Sequence, residues 1–144
     1  MRLTMRTDLA MRTLMFCAIN EGRVVRKKEV AEACKASENH LAQVIHLMAQ
    51  KGFLRTVRGR AGGLLLGRAI DDIRVGEVFR AFEATLPFAA CFSGGENDCP
   101  LAECCRLQGA MDGALNAFYA ALDQLSLRDM VVGNGDLTRL LKMA

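Results

Sequence analysis

Apolar positions recur at helical spacing three times in the first fifty residues. Leu9, Ala10, Leu14, Cys17 and Ala18 share one side of a helix predicted over 7–20, with Thr7 as its cap and Glu21-Gly22 as its stop. A shorter helix over 26–34 turns Val30, Ala31 and Cys34 inward, and Lys35-Ala36 is the turn after it. Ser37 then caps a third helix over 38–51. Leu41, Val44, Ile45 and Met48 form its i, i+3, i+4, i+7 stripe, Asn39, His40, Gln43, His46 and Gln50 lie opposite, and Gly52 is placed to end it. The pattern next changes to strand: 53–58, a glycine-rich turn over 59–63, and the short apolar run 64–66 read as a hairpin. Two helices joined by a short turn and followed by a basic hairpin are the parts of a winged helix-turn-helix.

The second half reads differently. Residues 75–84 predict a helix with Val78, Phe79 and Phe82 apolar. Residues 85–104 carry two prolines, Gly94-Gly95 and most of a cysteine cluster, and read as a loop. A long helix is predicted from Cys105 to Leu125, with Leu107, Met111, Leu115, Phe118, Leu122 and Leu125 alternating mostly four and three apart. That seam fits a helix–helix interface between two chains and fits packing on its own domain equally well. Ser126, with Asp129 three residues on, caps a short helix, and 136–142 forms a last apolar turn. The expected fold class is mainly α with a small β wing. The expected divisions are a DNA-binding region over 1–84, a cluster-binding loop over 85–105, and a dimerisation helix with a C-terminal helical segment over 106–144.

Charge adds a partner to this picture. The net charge of +3 is unevenly spread: residues 1–68 hold thirteen Lys and Arg against five Asp and Glu, and residues 69–144 hold six against eleven. A basic half that also contains the helix-turn-helix pattern suits a nucleic acid. Asn39, His40 and Gln43 occupy the first turns of the third helix, where base edges are read, with Ser37 at its start. Arg55, Arg58 and Arg60 flank glycines that let backbone approach closely, as a wing on phosphate or in a narrow minor groove requires. No phosphate loop or serine–histidine pattern accompanies them, so an enzyme is not expected.

Composition narrows the compartment. The chain has 144 residues and is 51% hydrophobic, enough for a core. No stretch approaches a membrane span, and the longest uncharged run near the start, Thr13 to Asn20, is too short for a signal core. The expectation is a cytoplasmic protein whose six cysteines stay reduced. Four of them, Cys91, Cys99, Cys104 and Cys105, lie within fifteen residues, spaced more widely than paired zinc knuckles. Thiolates spread over such a loop suit an iron–sulfur cluster. Cys105 opens a helix, where the dipole favours a thiolate. Cys104 and Cys105 can hardly both serve, so a fourth ligand is implied, for which Asp8, His40 and His46 are candidates. Cys17 and Cys34 sit on apolar helix faces and read as core.

Met-Arg-Leu-Thr at the start, Val57-Arg58-Gly59-Arg60-Ala61-Gly62-Gly63 in the hairpin, and Cys99-Pro100-Leu101 with Cys105-Arg106-Leu107 resemble the Rrf-type iron–sulfur transcription regulators along essentially the whole chain. The resemblance implies a winged helix-turn-helix homodimer on a palindromic operator. It also implies a cluster held by Cys91, Cys99 and Cys105, with Cys104 left over. Members of the IscR-like branch carry a histidine where this chain has Gln108. Asp8 and the stretch Ser37-Glu38-Asn39-His40-Leu41 resemble the nitric-oxide-sensing, NsrR-like branch, in which such an aspartate completes a 4Fe–4S cluster across the dimer. The seven-residue gap between Cys91 and Cys99 instead resembles the iron-responsive, RirA-like branch. The resemblance thus implies a repressor that nitric oxide releases from DNA, with an iron-responsive regulator as the alternative. An electron carrier or a zinc-stabilised module needs neither the basic half nor the polar third helix.

Overall fold

The protein, seen here in a computed structural model, is described over residues 3–84, 87–92 and 99–142. The Gly94-Gly95 pair of the expected loop and the first two residues of the Met-Arg-Leu-Thr start lie outside the described residues. Helix α1 spans Met5–Ile19. It starts a turn's fraction earlier than its apolar pattern suggests, because Thr4, not Thr7, is the N-cap: the Thr4 hydroxyl accepts from the Thr7 backbone N–H at 3.3 Å. Thr7 is itself fully buried. The short α2 (Lys27–Cys34) ends at Lys35, whose φ of 50° is left-handed and lets the chain turn sharply into α3 (Glu38–Gln50). Ser37 occupies the N-cap of α3 but makes no side-chain capping bond.

The hairpin pairs β1 (Leu54–Val57) with β2 (Gly63–Leu66) antiparallel, Leu54 opposite Leu66 and Val57 opposite Gly63. Val25 and Leu64 exchange backbone hydrogen bonds of 2.9 and 2.7 Å, fixing the wing to the segment between α1 and α2. This close pairing explains Gly63: a Cβ there would lie 2.3 Å from the Val25 carbonyl oxygen.

The rest of the chain is α4 (Val75–Glu83), two 3-10 turns at Ala90–Phe92 and Ala102–Cys104, α5 (Arg106–Asp123), α6 (Leu127–Val131) and α7 (Gly135–Leu141). Helix α5 begins one residue after the expected position, since Cys105 is its N-cap and not its first helical residue. The Ser126–Asp129 capping box is formed as the sequence suggests. Leu9, Leu14 and Phe16 of α1 meet Val30, Leu41, Val44 and Met48 of the helix-turn-helix, Val78 and Phe82 of α4, and Leu127 of α6 in one core. The chain after the long helix therefore returns to α1. There the Asn20 amide donates to the Phe16 carbonyl at 2.9 Å and to the Leu141 carbonyl at 2.8 Å.

Helices α4 and α5 cross closely. Arg80 forks onto Asp123 with two bonds of 2.6 Å and lies 4.6 Å from the centre of the Tyr119 ring. At the crossing, a Cβ on Gly76 would stand 2.1 Å from the Asp123 carboxylate oxygen. Gly76→Ala is expected to lower stability by about 1–3 kcal/mol through overpacking, although alanine is the better helix former. Thermal unfolding of the variant measures this, and an unchanged or raised midpoint would mean that the crossing is looser than described.

Candidate functional site

The apolar stripe of α3 is buried, and this turns the opposite side outward. Ser37, Asn39, His40, Gln43, His46 and Gln50 are all exposed. Lys27 holds Glu38 at 3.3 Å, tying α2 to the start of α3. Arg6, which the sequence pattern did not single out, donates to the Gln43 side-chain oxygen at 3.3 Å. Its neighbours His40, Gln43, Val44, Met5, Leu9 and Phe82 line a cleft of about 380 Å³ between α1, α3 and α4. In the wing, Arg55, Arg58 and Arg60 are exposed and form no ion pair with any described residue. Gly59 has φ +104°, and a Cβ on Gly62 would strike the Val57 carbonyl oxygen at 2.3 Å, so the turn carrying these arginines depends on glycine. A polar helix face beside uncompensated guanidinium groups is suited to a polyanion with readable edges.

The cysteines fall into two environments. Cys17 and Cys34 are buried; burial pushes the Cys17 thiol up to about 12 and raises that of Cys34, which leaves both as inert core groups. Cys91 and Cys105 are half-buried, and Cys99 and Cys104 are exposed. Cys105 Sγ accepts from the Gln108 backbone N–H at 3.4 Å. The Gln108 side-chain amide donates to the Cys91 carbonyl at 3.3 Å. The Cys104 thiol turns back to the Leu101 carbonyl at 3.6 Å. Among the described residues no three His, Cys, Asp or Glu side chains are gathered closely enough to hold a metal ion. Asp8 is engaged elsewhere: Arg12, one turn on, bonds both its oxygens at 2.8 and 3.1 Å. The donor chemistry nonetheless fits an iron–sulfur cluster, since soft thiols on a surface loop, one of them at a helix start with an N–H aimed at its sulfur, are the ligands such a cluster takes.

Glu83, also unflagged by the sequence pattern, joins the two regions. It ends α4 just before the cysteine loop, and its carboxylate accepts from the Thr4 N–H at 2.9 Å, the Thr4 hydroxyl at 2.8 Å and the Thr7 hydroxyl. Three donors at the positive end of α1 stabilise its charge. Burial pushes its pKa upward, but the Thr7 and Thr4 bonds together outweigh burial and hold it below 4.5.

The Rrf2 family, described as an iron-dependent transcriptional regulator, matches residues 3–133. The chain is 40% identical over 144 residues to the HTH-type transcriptional regulator NsrR of Bacillus subtilis, covering 99% of each. It is 37% identical over 142 residues to the protein of the same name from Bacillus licheniformis, covering 98% of this chain and 99% of the other. Among solved structures, T. potens IscR superimposes with a TM-score of 0.69 at 25% identity, over 100% of this chain and 93% of that one. The family and both Bacillus relatives are described as transcriptional regulators. No helix among the described residues is long and apolar enough to cross a membrane.

The Glu83 contacts generate a pH signature. A carboxyl with a depressed folded pKa contributes stability above its unfolded pKa and loses it as pH falls through the folded value. Glu83→Gln is expected to be less stable than wild type at neutral pH, with the gap closing below the ordinary value of 4.5. Denaturant unfolding of both proteins across pH 3–7 checks this, and a pH-independent gap would assign the effect to shape.

Proposed function

The chain belongs to the Rrf2 family of iron-dependent transcriptional regulators, and on that premise we propose that it is a homodimeric, DNA-binding repressor whose 4Fe–4S cluster senses nitric oxide. The observation that carries this reading is that one chain presents both an exposed polar face of α3 beside an exposed arginine wing and a set of exposed or half-buried cysteines leading into α5. Cys91, Cys99 and Cys105 would hold the cluster, and Asp8, released from Arg12 and offered by the partner subunit, would complete the set. The bound cluster supplies iron that nitric oxide can ligate. While the three thiols are engaged, the loop anchors the end of α4 to the start of α5. Glu83 passes that anchor to Thr4 and Thr7 of α1, on which α3 packs. When the thiols are released, the spacing of the two reading helices is no longer held.

The dimer is supported by α5 itself, an 18-residue helix with no fully buried residue and with Leu107 66% exposed. Met111, Leu115 and Phe118 border an apolar groove of about 800 Å³ with Phe79, Phe88 and Phe92, and the occupant we assign is α5 of a second copy. Two reading heads related by a twofold axis suit a palindrome with half-sites about one helical turn apart.

A second reading, an iron-responsive regulator, is favoured by one observation: the Arg12–Asp8 pair leaves the cluster three protein ligands if it persists. Asp8→Ala separates the two. In the nitric-oxide sensor the variant still loads a cluster on three thiols, with an altered absorption spectrum and an altered nitric-oxide titration. An unchanged spectrum and titration would overturn the role of Asp8 and favour the iron sensor. Alanine at Cys91, Cys99 or Cys105 is expected to abolish the colour of anaerobically purified protein, whereas Cys104→Ala is not.

On DNA, Arg60→Ala is expected to weaken binding across sequences and lower the salt slope by about 1. Gln43→Ala instead relaxes base preference at a cost of about 1–3 kcal/mol. Mobility shifts at several salt concentrations on matched and mismatched palindromes distinguish the two. Equal losses on every sequence would mean that α3 does not read bases.

A further inference from the structure

Cys91 and Gln108 are seventeen residues apart, yet one side chain connects them. Gln108 stands one turn into α5 and is half-buried. Its backbone N–H points at Cys105 Sγ from 3.4 Å, and its side-chain Nε2 at the Cys91 carbonyl from 3.3 Å. The first of these bonds belongs to the helix start, and any residue but proline at this position would make it. The second depends on the glutamine: it needs a donor at the end of a side chain of this length. Asn would fall short, and Glu, of the same shape, has only acceptors when ionised.

We propose that Gln108 is a positioning residue for the metal centre, closing the Cys91 segment onto Cys105 so that two of the three thiol-bearing residues are brought together by the protein before iron is bound. This rests on the cluster reading above. The physical gain is entropic. Bringing the ends of a loop together costs configurational freedom, and a loop already closed by a hydrogen bond has met part of that cost before the ligands assemble. A carbonyl bond also fixes the Cys91 backbone and thereby the direction from which its thiol is offered. The same bond slows opening once the ligands are engaged, because Cys91 cannot swing away without breaking it. Gln108→Glu would add a like charge beside thiolates as well as removing the donor, so it should act at least as strongly as Gln108→Ala.

Two measurements on the full-length chain test this. In the first, protein loaded with iron and sulfide under anaerobic conditions is challenged with a ferrous chelator. Gln108→Ala and Gln108→Glu are expected to lose iron about 10-fold faster than wild type, the low end for a residue that supports a metal ligand, with unfolding midpoints of the metal-free proteins unchanged. In the second, metal-free protein with serine at the exposed Cys99 and Cys104 is treated with dibromobimane, which fluoresces once it has bridged two thiols. Bridging of Cys91 to Cys105 is expected to be several-fold slower in Gln108→Ala. Unchanged rates in either measurement, with wild type loading normally, overturn the role of Gln108. A wild-type chain that takes up no iron overturns the cofactor reading itself, and with it any role for Gln108 at a metal centre.

Discussion

Burial of α1 is the constraint on which the rest of the molecule depends. Thr7, Leu9, Ala10, Thr13, Leu14, Phe16, Cys17 and Ala18 are all buried, so the helix is covered on most of its circumference. The helix-turn-helix, the wing, α4, α6 and α7 each pack on it. A buried helix still has to satisfy its polar groups: in this one the Thr13 hydroxyl donates to the Leu9 carbonyl at 2.7 Å, and at the helix start Glu83 of α4 accepts the Thr4 N–H. The DNA-binding half therefore has no core of its own apart from α1, and any element that holds α1 also sets where α3 points.

This arrangement links the end of α4, after which the cysteine-bearing segment follows, to α1 and through it to α3. Glu83 is the last residue of α4 and is bonded to the first turn of α1; the cysteine loop begins a few residues later. Close-packed interiors transmit a shift at one element to its neighbours, so the position of Glu83 bears on α1 and on the helices packed against it. Burial also sorts the six cysteines. Burial raises the pKa of those packed into α1 and α2, whereas those after α4 are exposed or half-buried.

Helix α5 occupies an intermediate position. Arg80, Asp123 and Gly76 bind its end to α4, while its first turns project an apolar edge into solvent. The own-domain reading of its heptad-like spacing is met at one end, where Phe118 packs against Phe79 with ring centres 6.1 Å apart, while Leu107 at the other is exposed.

Periodicity by itself determined the three N-terminal helices, the hairpin, the long helix and the Ser126 capping box, because each rests on contacts within a few residues, which local spacing encodes. It also separated Cys17 and Cys34 from the loop cysteines, since an apolar helix face is visible in the chain. The start of α1 was misplaced because Thr4 and Thr7 are both good caps. The choice between them was made by Glu83, about eighty residues away, which engages both and leaves Thr7 buried. Arg6 beside Gln43, Gln108 between two cysteine segments, and the return of α6 and α7 to α1 were likewise decided only in three dimensions. These are pairings between residues distant along the chain, and hydrophobic spacing says which face of an element is buried but not what it will be buried against.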